Sequence, residues 1–201
     1  MPDTDEVLIE PNVFTRAQVD WRPFVAPVAE TDLTERQIAA LMDPARLKRD
    51  YFRLLARDPD ALEHRTRTDK DIFYNMDGGA PRAERELAAA AVSRFNGCIY
   101  CASVHARFSA TYSKREADVD RLLAEGINAD LGERWNAIVA ASVALTSTPM
   151  TFGPEHVVRL RDAGMDDLAI ADVVQGAAFF NWANRLMLSL GEAAIKPAAT
   201  T

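Results

Sequence analysis

Cysteine and histidine are scarce in this chain of 201 residues, which has two cysteines and three histidines. The sequence has no apolar run of about 18 residues, the length that a membrane-spanning helix needs. The N-terminal segment MPDTDEVLIEPNVF is acidic and has neither a basic region nor an apolar region, so we expect no signal peptide. Basic residues are outnumbered, and the formal net charge is −7. An acidic surface repels polyanions, so we expect neither nucleic acid nor a membrane as a partner.

The remaining composition is that of a globular protein. Hydrophobic residues make up 48% of the chain and charged residues 26%, which allows a sizeable core. Because the sequence shows neither a membrane-spanning run nor a signal peptide, we expect a cytoplasmic protein. In that compartment thiols stay reduced, so a close pair of cysteines is more typical of catalysis or metal binding than of a structural disulfide.

From Asp32 onward the pattern predicts one helix after another. The pairs Asp43-Pro44 and Asp58-Pro59 each join a helix-capping residue to a proline suited to the first turn. The first pair predicts a single helix through ARLKRDYFRLLAR. No alternating apolar and polar run is long enough for a strand. These patterns predict an all-α fold, a helical bundle.

The chain divides by composition into three parts. Residues 1–32 contain four prolines and no helical period, which predicts an extended N-terminal arm lying on a surface, or alternatively a disordered tail. Residues 33–192 form the predicted all-α domain. Residues 193–201 form a predicted flexible C-terminal tail.

Alanine replaces leucine on several predicted helix faces, most clearly at residues 88–91. Small side chains let two helix axes approach closely. We therefore expect these faces to pack against another helix, either within one subunit or across a subunit interface.

Both cysteines lie in the segment ELAAAAVSRFNGCIYCASVHARF, residues 86–108. Cys98 is three residues before Cys101, and His105 follows Cys101 by four, so all three share one face of a predicted helix. Glu86 lies on the preceding helix. It reaches that face only if the chain folds back at Asn96-Gly97.

This arrangement indicates thiol redox chemistry, in which the thiolate is the reactive form. The helix N-terminus next to Cys98 and the imidazole of His105 next to Cys101 are both expected to favour ionisation. Glu86 can then orient His105 or balance its charge. Once one cysteine is oxidised to a sulfenic acid, its neighbour can condense with it to a disulfide. The position at the helix start favours Cys98 as the nucleophile, whereas the proximity of His105 favours Cys101.

A zinc site is the main alternative, because Cys98, Cys101 and His105 are all zinc ligand types. A structural zinc ion needs a fourth ligand, for which the chain offers His64, His156 or Glu86. In that case the chain is a zinc-stabilised helical scaffold or interaction module without enzymatic activity. The remaining alternatives are two core cysteines paired by chance and cysteines that serve another small-molecule reaction.

The spacing of the four residues resembles a known family motif. Glu86, eleven residues, Cys98, two residues, Cys101, three residues and His105 match the Glu-x11-Cys-x2-Cys-x3-His motif of the AhpD-like alkylhydroperoxidases, which belong to the wider carboxymuconolactone decarboxylase family. The segment VVRLRDAGMDDLAIADVVQGAAFFNWANRLMLSLG is similar to the C-terminal part of the peroxidase-related branch. The likeness covers roughly residues 40–191.

This resemblance implies an AhpD-like helical bundle and a thiol-dependent peroxidase, of peroxiredoxin or thiol-disulfide oxidoreductase type, that reduces organic hydroperoxides without a cofactor or metal. It implies that Cys101 attacks the peroxide, that Cys98 resolves the product to a disulfide, and that His105 and Glu86 form the proton relay. It also implies a thiol or lipoyl-type reductant and, with the alanine faces, a homo-oligomer, either a dimer or a trimer of dimers.

One position departs from the resembled family. Its best-characterised members carry a second histidine just before the second cysteine, and this chain has Tyr100 there. A simpler proton relay, a different rate or a different substrate is the expected consequence.

Overall fold

The computed structural model describes residues 10–77 and 79–195. Its helices are α1 Glu35–Leu41, α2 Asp50–Leu55, α3 Pro59–Tyr74, α4 Arg82–Phe95, α5 Ile99–Ser113, α6 Glu116–Glu125, α7 Glu133–Thr146, α8 Pro154–Asp162 and α9 Asp167–Leu190. The predicted all-α fold is therefore confirmed. Within these described residues no helix is both long and apolar enough to cross a membrane.

Side-chain caps explain where several helices begin. Thr34 and Gln37 form a reciprocal capping box at α1. The Asp58 carboxylate accepts a hydrogen bond from the backbone N–H of Ala61 at 3.0 Å, as the Asp58-Pro59 pair predicts. The prediction of one helix after Asp43-Pro44 is wrong. Pro44–Lys48 form a short 3₁₀ helix, and the extended backbone of Arg49 separates this 3₁₀ helix from α2.

Helix α4 forms the centre of the bundle, with contacts to α5, α7 and α9. Its alanines 88–91 are all completely buried. Because these side chains end at Cβ, the neighbouring helices approach closely from several sides. The prediction that the alanine faces pack against other helices is thus confirmed within the subunit.

A short sheet that the sequence did not predict joins the two ends of the described chain. Strand β1 (Asp20–Pro23) pairs antiparallel with strand β2 (Gly191–Ala194), placing Trp21 opposite Ala193. A Cβ on Gly191 would lie 2.3 Å from the Trp21 ring, so only glycine fits there. The predicted arm thus includes a strand, and residues 193 and 194 of the predicted tail belong to β2. Residues 1–9 of the arm and 196–201 of the tail lie outside the described residues.

Candidate active site

The turn between α4 and α5 brings the four motif residues together. Asn96 ends α4, and Gly97 adopts a left-handed backbone with φ of 82°. Cys98 follows as the N-cap of α5, and its N–H donates to the Ser93 carbonyl at 2.9 Å. The chain therefore folds back on itself, and the Glu86 carboxylate reaches His105, as the turn predicts.

The contact between Glu86 and His105 determines which nitrogen of the imidazole carries the hydrogen. His105 Nδ1 lies 2.6 Å from Glu86 Oε2, and the carboxylate side chain is only 1% exposed. A carboxylate accepts hydrogen bonds, so Nδ1–H is the donor and Nε2 is left as the nitrogen that can take a proton. Arg82 Nε donates to Glu86 Oε1 at 3.2 Å and balances its negative charge.

Two aromatic rings that also contact each other pack against the imidazole. The centroid of the His105 ring lies 4.0 Å from that of Phe180 and 5.3 Å from that of Phe73. With Nδ1 tied to Glu86, this packing leaves the ring little freedom to rotate.

The two cysteines are free thiols, and both are buried, with 2% exposure for Cys98 and 5% for Cys101. The pKa of Cys98 is lowered, chiefly because the Cys101 thiol hydrogen-bonds to it. The pKa of Cys101 is raised well above its usual value, because its proton is held in the bond to Cys98 and because it is buried. The neighbouring sulfur, rather than His105 or the helix start, is therefore the main cause of the shift in the Cys98 pKa.

Asn184 on α9 is a further polar contributor that the sequence reasoning missed. Its fully buried amide donates to Ser93 Oγ at 3.0 Å and accepts from Asn96 at 3.2 Å. Its side chain also acts on both sulfurs: it adds to the lowering of the Cys98 pKa and partly offsets the rise of the Cys101 pKa. Its only signal in the sequence is a polar residue at a helix position otherwise facing the core.

Cys101 and His105 open onto one cavity of about 140 Å³, hereafter the Cys101 cavity. Its other lining residues combine aromatic, apolar and charged side chains: Tyr51, Arg65, Asp69, Phe73, Tyr74, Glu86, Tyr100, Val104, Phe108, Phe180, Ala183 and Met187. An engineered cavity of roughly 150 Å³ holds benzene. The Cys101 cavity therefore suits a molecule of about one ring or a short branched chain.

Cys98 opens onto a different cavity of about 60 Å³, bordered by Trp21 of β1 and Gly191 of β2. Tyr100, which replaces the family histidine, lines both cavities. Burial raises the pKa of the Tyr100 phenol and raises that of Tyr51 to about 12, so both remain protonated near neutral pH. The neutral, polar side chain of Tyr100 thus borders both the cavity of Cys101 and the cavity of Cys98.

The zinc alternative lacks a ligand set in the part of the chain that the structure describes, where no three histidine, cysteine, aspartate or glutamate side chains cluster suitably. His156 accepts from the Gly153 N–H at 3.1 Å and stacks on Phe152. Neither it nor His64 lines the Cys101 cavity.

Solved structures with similar folds place the chain in a structural class. A peroxidase-related protein of uncharacterised function from Ralstonia eutropha JMP134, described as an alkylhydroperoxidase AhpD core, matches with a TM-score of 0.67 and 22% identity over 87% of this chain and 92% of its own. The debrominase Bmp8 matches with a TM-score of 0.66 and 18% identity over 84% of this chain and 90% of its own. The chain therefore has an AhpD-like helical fold.

The sequence match agrees with this class. The model of the carboxymuconolactone decarboxylase family matches residues 59–144, which include Glu86, Cys98, Cys101 and His105. The family resemblance predicted from the motif is thus confirmed. No curated protein matches the chain.

Proposed function

We propose that the chain is a thiol-dependent peroxidase that reduces organic hydroperoxides at Cys101. The observation that carries the proposal is that Cys101 and the imidazole of His105, held by Glu86, line one cavity, while Cys98 precedes Cys101 by three residues as the N-cap of the same helix. A nucleophile, a base and an orienting carboxylate are thereby brought to one place.

In the first step Cys101 loses its proton to His105 Nε2 or through the bond to Cys98. The Cys101 thiolate then attacks the terminal peroxide oxygen and the O–O bond breaks. The released alkoxide takes up the proton that His105 or Cys98 accepted and leaves as the alcohol. Cys101 is oxidised to a sulfenic acid.

In the second step Cys98 attacks the sulfenic sulfur, which forms the disulfide and releases water. A reductant, either a thiol or a lipoyl-type dithiol, then reduces the disulfide by thiol–disulfide exchange. The reductant is itself oxidised to a disulfide. Because this reductant belongs to a reducing compartment, the proposal also places the reaction in the cytoplasm.

Titration of reduced protein with tert-butyl hydroperoxide, with free thiols counted at each step, tests the proposal. We expect each hydroperoxide molecule consumed to remove both thiols of one chain. The reason is that a hydroperoxide takes up two electrons, the number released when two thiols form one disulfide. An unchanged thiol count would refute the proposal and favour another reaction of the cysteines.

We also propose that the protein is a homo-oligomer, a dimer or a trimer of dimers. Apolar side chains on α9 support association, since Trp182 is 47% exposed and Leu188 is 43% exposed. Light scattering at micromolar concentration is expected to give a multiple of the chain mass, and Trp182→Glu to reduce it. A monomer in the unmodified protein would contradict this proposal.

A further inference from the structure

Arg65 is a buried cation with few hydrogen-bond partners. Its side chain is 9% exposed, and it projects from α3 into the lining of the Cys101 cavity. Its Nε and Nη1 atoms are buried and have no hydrogen-bond partner among the described residues. Since buried polar groups in folded proteins are nearly always hydrogen-bonded, donors of this kind indicate that an acceptor is missing.

The nearest carboxylate satisfies Arg65 only weakly. The Arg65 guanidinium approaches Asp69 no closer than 3.5 Å, at the outer limit of a hydrogen bond. It lies instead over the rings of Phe52 and Phe179, at 5.8 and 5.3 Å from their centroids. Aromatic stacking holds the guanidinium plane in place without using its N–H donors, and so leaves them available.

The balance of charged side chains around the cavity favours the binding of an additional anion. The guanidinium of Arg46 also lies over Phe52, at 4.5 Å, and is attracted by Asp69 and by Asp43. Asp69 therefore attracts two cations, Arg46 and Arg65. The other acidic group of the lining, Glu86, is balanced by Arg82 and bonded to His105. An incoming carboxylate therefore meets an unsatisfied cation rather than a surplus of negative charge.

We propose that Arg65 is the anchor for an anionic group of the substrate, so that the Cys101 cavity takes small carboxylate-bearing hydroperoxides. This inference rests on the proposed peroxidase function for the reacting end of the molecule. The guanidinium holds the carboxylate through charge-assisted hydrogen bonds. The aromatic lining encloses the carbon skeleton, and the peroxide group is directed to Cys101.

The anchor is tested first by binding, with no reaction involved. Calorimetry compares benzoate with methyl benzoate, its neutral ester, which has the same ring and carbonyl group. We expect the unmodified protein to bind benzoate about 10- to 100-fold more tightly, the factor that a charge-assisted hydrogen bond supplies. Arg65→Met is expected to remove this preference, and Arg65→Lys, which keeps the charge, to retain part of it.

Arg53→Met is the matched control, because Arg53 is also a largely buried arginine with an unpartnered Nε but does not line the cavity. It is expected to leave the preference for benzoate unchanged. Equal binding of benzoate and its ester to the unmodified protein, or equal effects of Arg53→Met and Arg65→Met, would overturn the assignment.

The second test measures catalysis. The substrates are tert-butyl hydroperoxide, its analogue in which one methyl group bears a carboxylate, and the methyl ester of that analogue. We expect kcat/KM to be about 10- to 100-fold higher for the acid than for the ester. Because the charge of Arg65 also favours the Cys101 thiolate, the effect of Arg65→Met is measured as the ratio of the acid to the ester, which is expected to fall to about one.

The outcomes of this second test separate the two proposals. If no hydroperoxide oxidises the thiols, the peroxidase proposal fails, and benzoate binding still decides whether Arg65 is an anion anchor. If all three are reduced equally well, peroxidase activity stands and the anchor is refuted.

Discussion

Replacing Cys101 by serine is expected to lower the rate of hydroperoxide reduction by roughly 10³-fold or more, because a hydroxyl is a far weaker nucleophile than a thiolate. Cys98→Ser is the matched variant, since it removes the neighbouring sulfur with the same change of atom. It is expected to consume one equivalent of peroxide and then stop. Its Cys101 remains as a sulfenic acid, which dimedone traps and mass spectrometry locates.

The thiol pKa values and the positions of the two cysteines favour different nucleophiles. The comparison of Cys101→Ser with Cys98→Ser therefore decides which thiol attacks the peroxide. Hydrogen bonding and burial raise the pKa of Cys101, whereas the bond from Cys101 lowers that of Cys98. Ionisation alone therefore favours Cys98, and position in the cavity beside His105 favours Cys101. Because Cys101 must lose a proton before it attacks, the first step is expected to accelerate as pH rises. A sulfenic acid found on Cys98, in a Cys101→Ser protein that still consumes peroxide, would reverse the assignment.

The sequence was sufficient for the features that depend on nearby residues. Helix type follows from the apolar period, and the start of α3 follows from Asp58 as its cap. The motif at 86–105 lies on two consecutive helices joined by a tight turn, so its geometry could be predicted from spacing alone. The contact between Glu86 and His105 then requires only that the chain reverse at Gly97.

Features that depend on distant residues were not predictable. Strands β1 and β2 have four residues each and pair across about 170 positions, so neither shows a period of its own. Asn184 comes from α9, far from the motif in sequence, and Arg65 comes from α3, the helix before the motif. Each looks like an ordinary polar position in the sequence. Their importance arises from what they face in the folded chain: the two sulfurs for Asn184 and the Cys101 cavity for Arg65.

Glu86→Gln is expected to lower kcat/KM for hydroperoxides by about 10²-fold, because general acid–base catalysis loses the carboxylate that supports the relay. Glutamine preserves the size of the side chain and keeps one oxygen that can accept from His105 Nδ1–H. It removes the negative charge that stabilises the imidazolium formed when His105 takes the thiol proton. The rate is therefore also expected to reach half its maximum at a higher pH, where the thiol ionises without the relay.

Glu84→Gln is the control for this change, because Glu84 lies on the same helix, is also buried and pairs with Arg134 at 2.6 Å, but does not line the Cys101 cavity. Each variant removes the charge of one buried carboxylate that is paired with an arginine, so each is expected to lose about 1–3 kcal/mol in the free energy of unfolding. Only Glu86→Gln is expected to change the rate and its pH profile. Equal losses of activity in the two variants would show that Glu86 acts through stability, because a proton relay requires contact with His105, which Glu84 lacks.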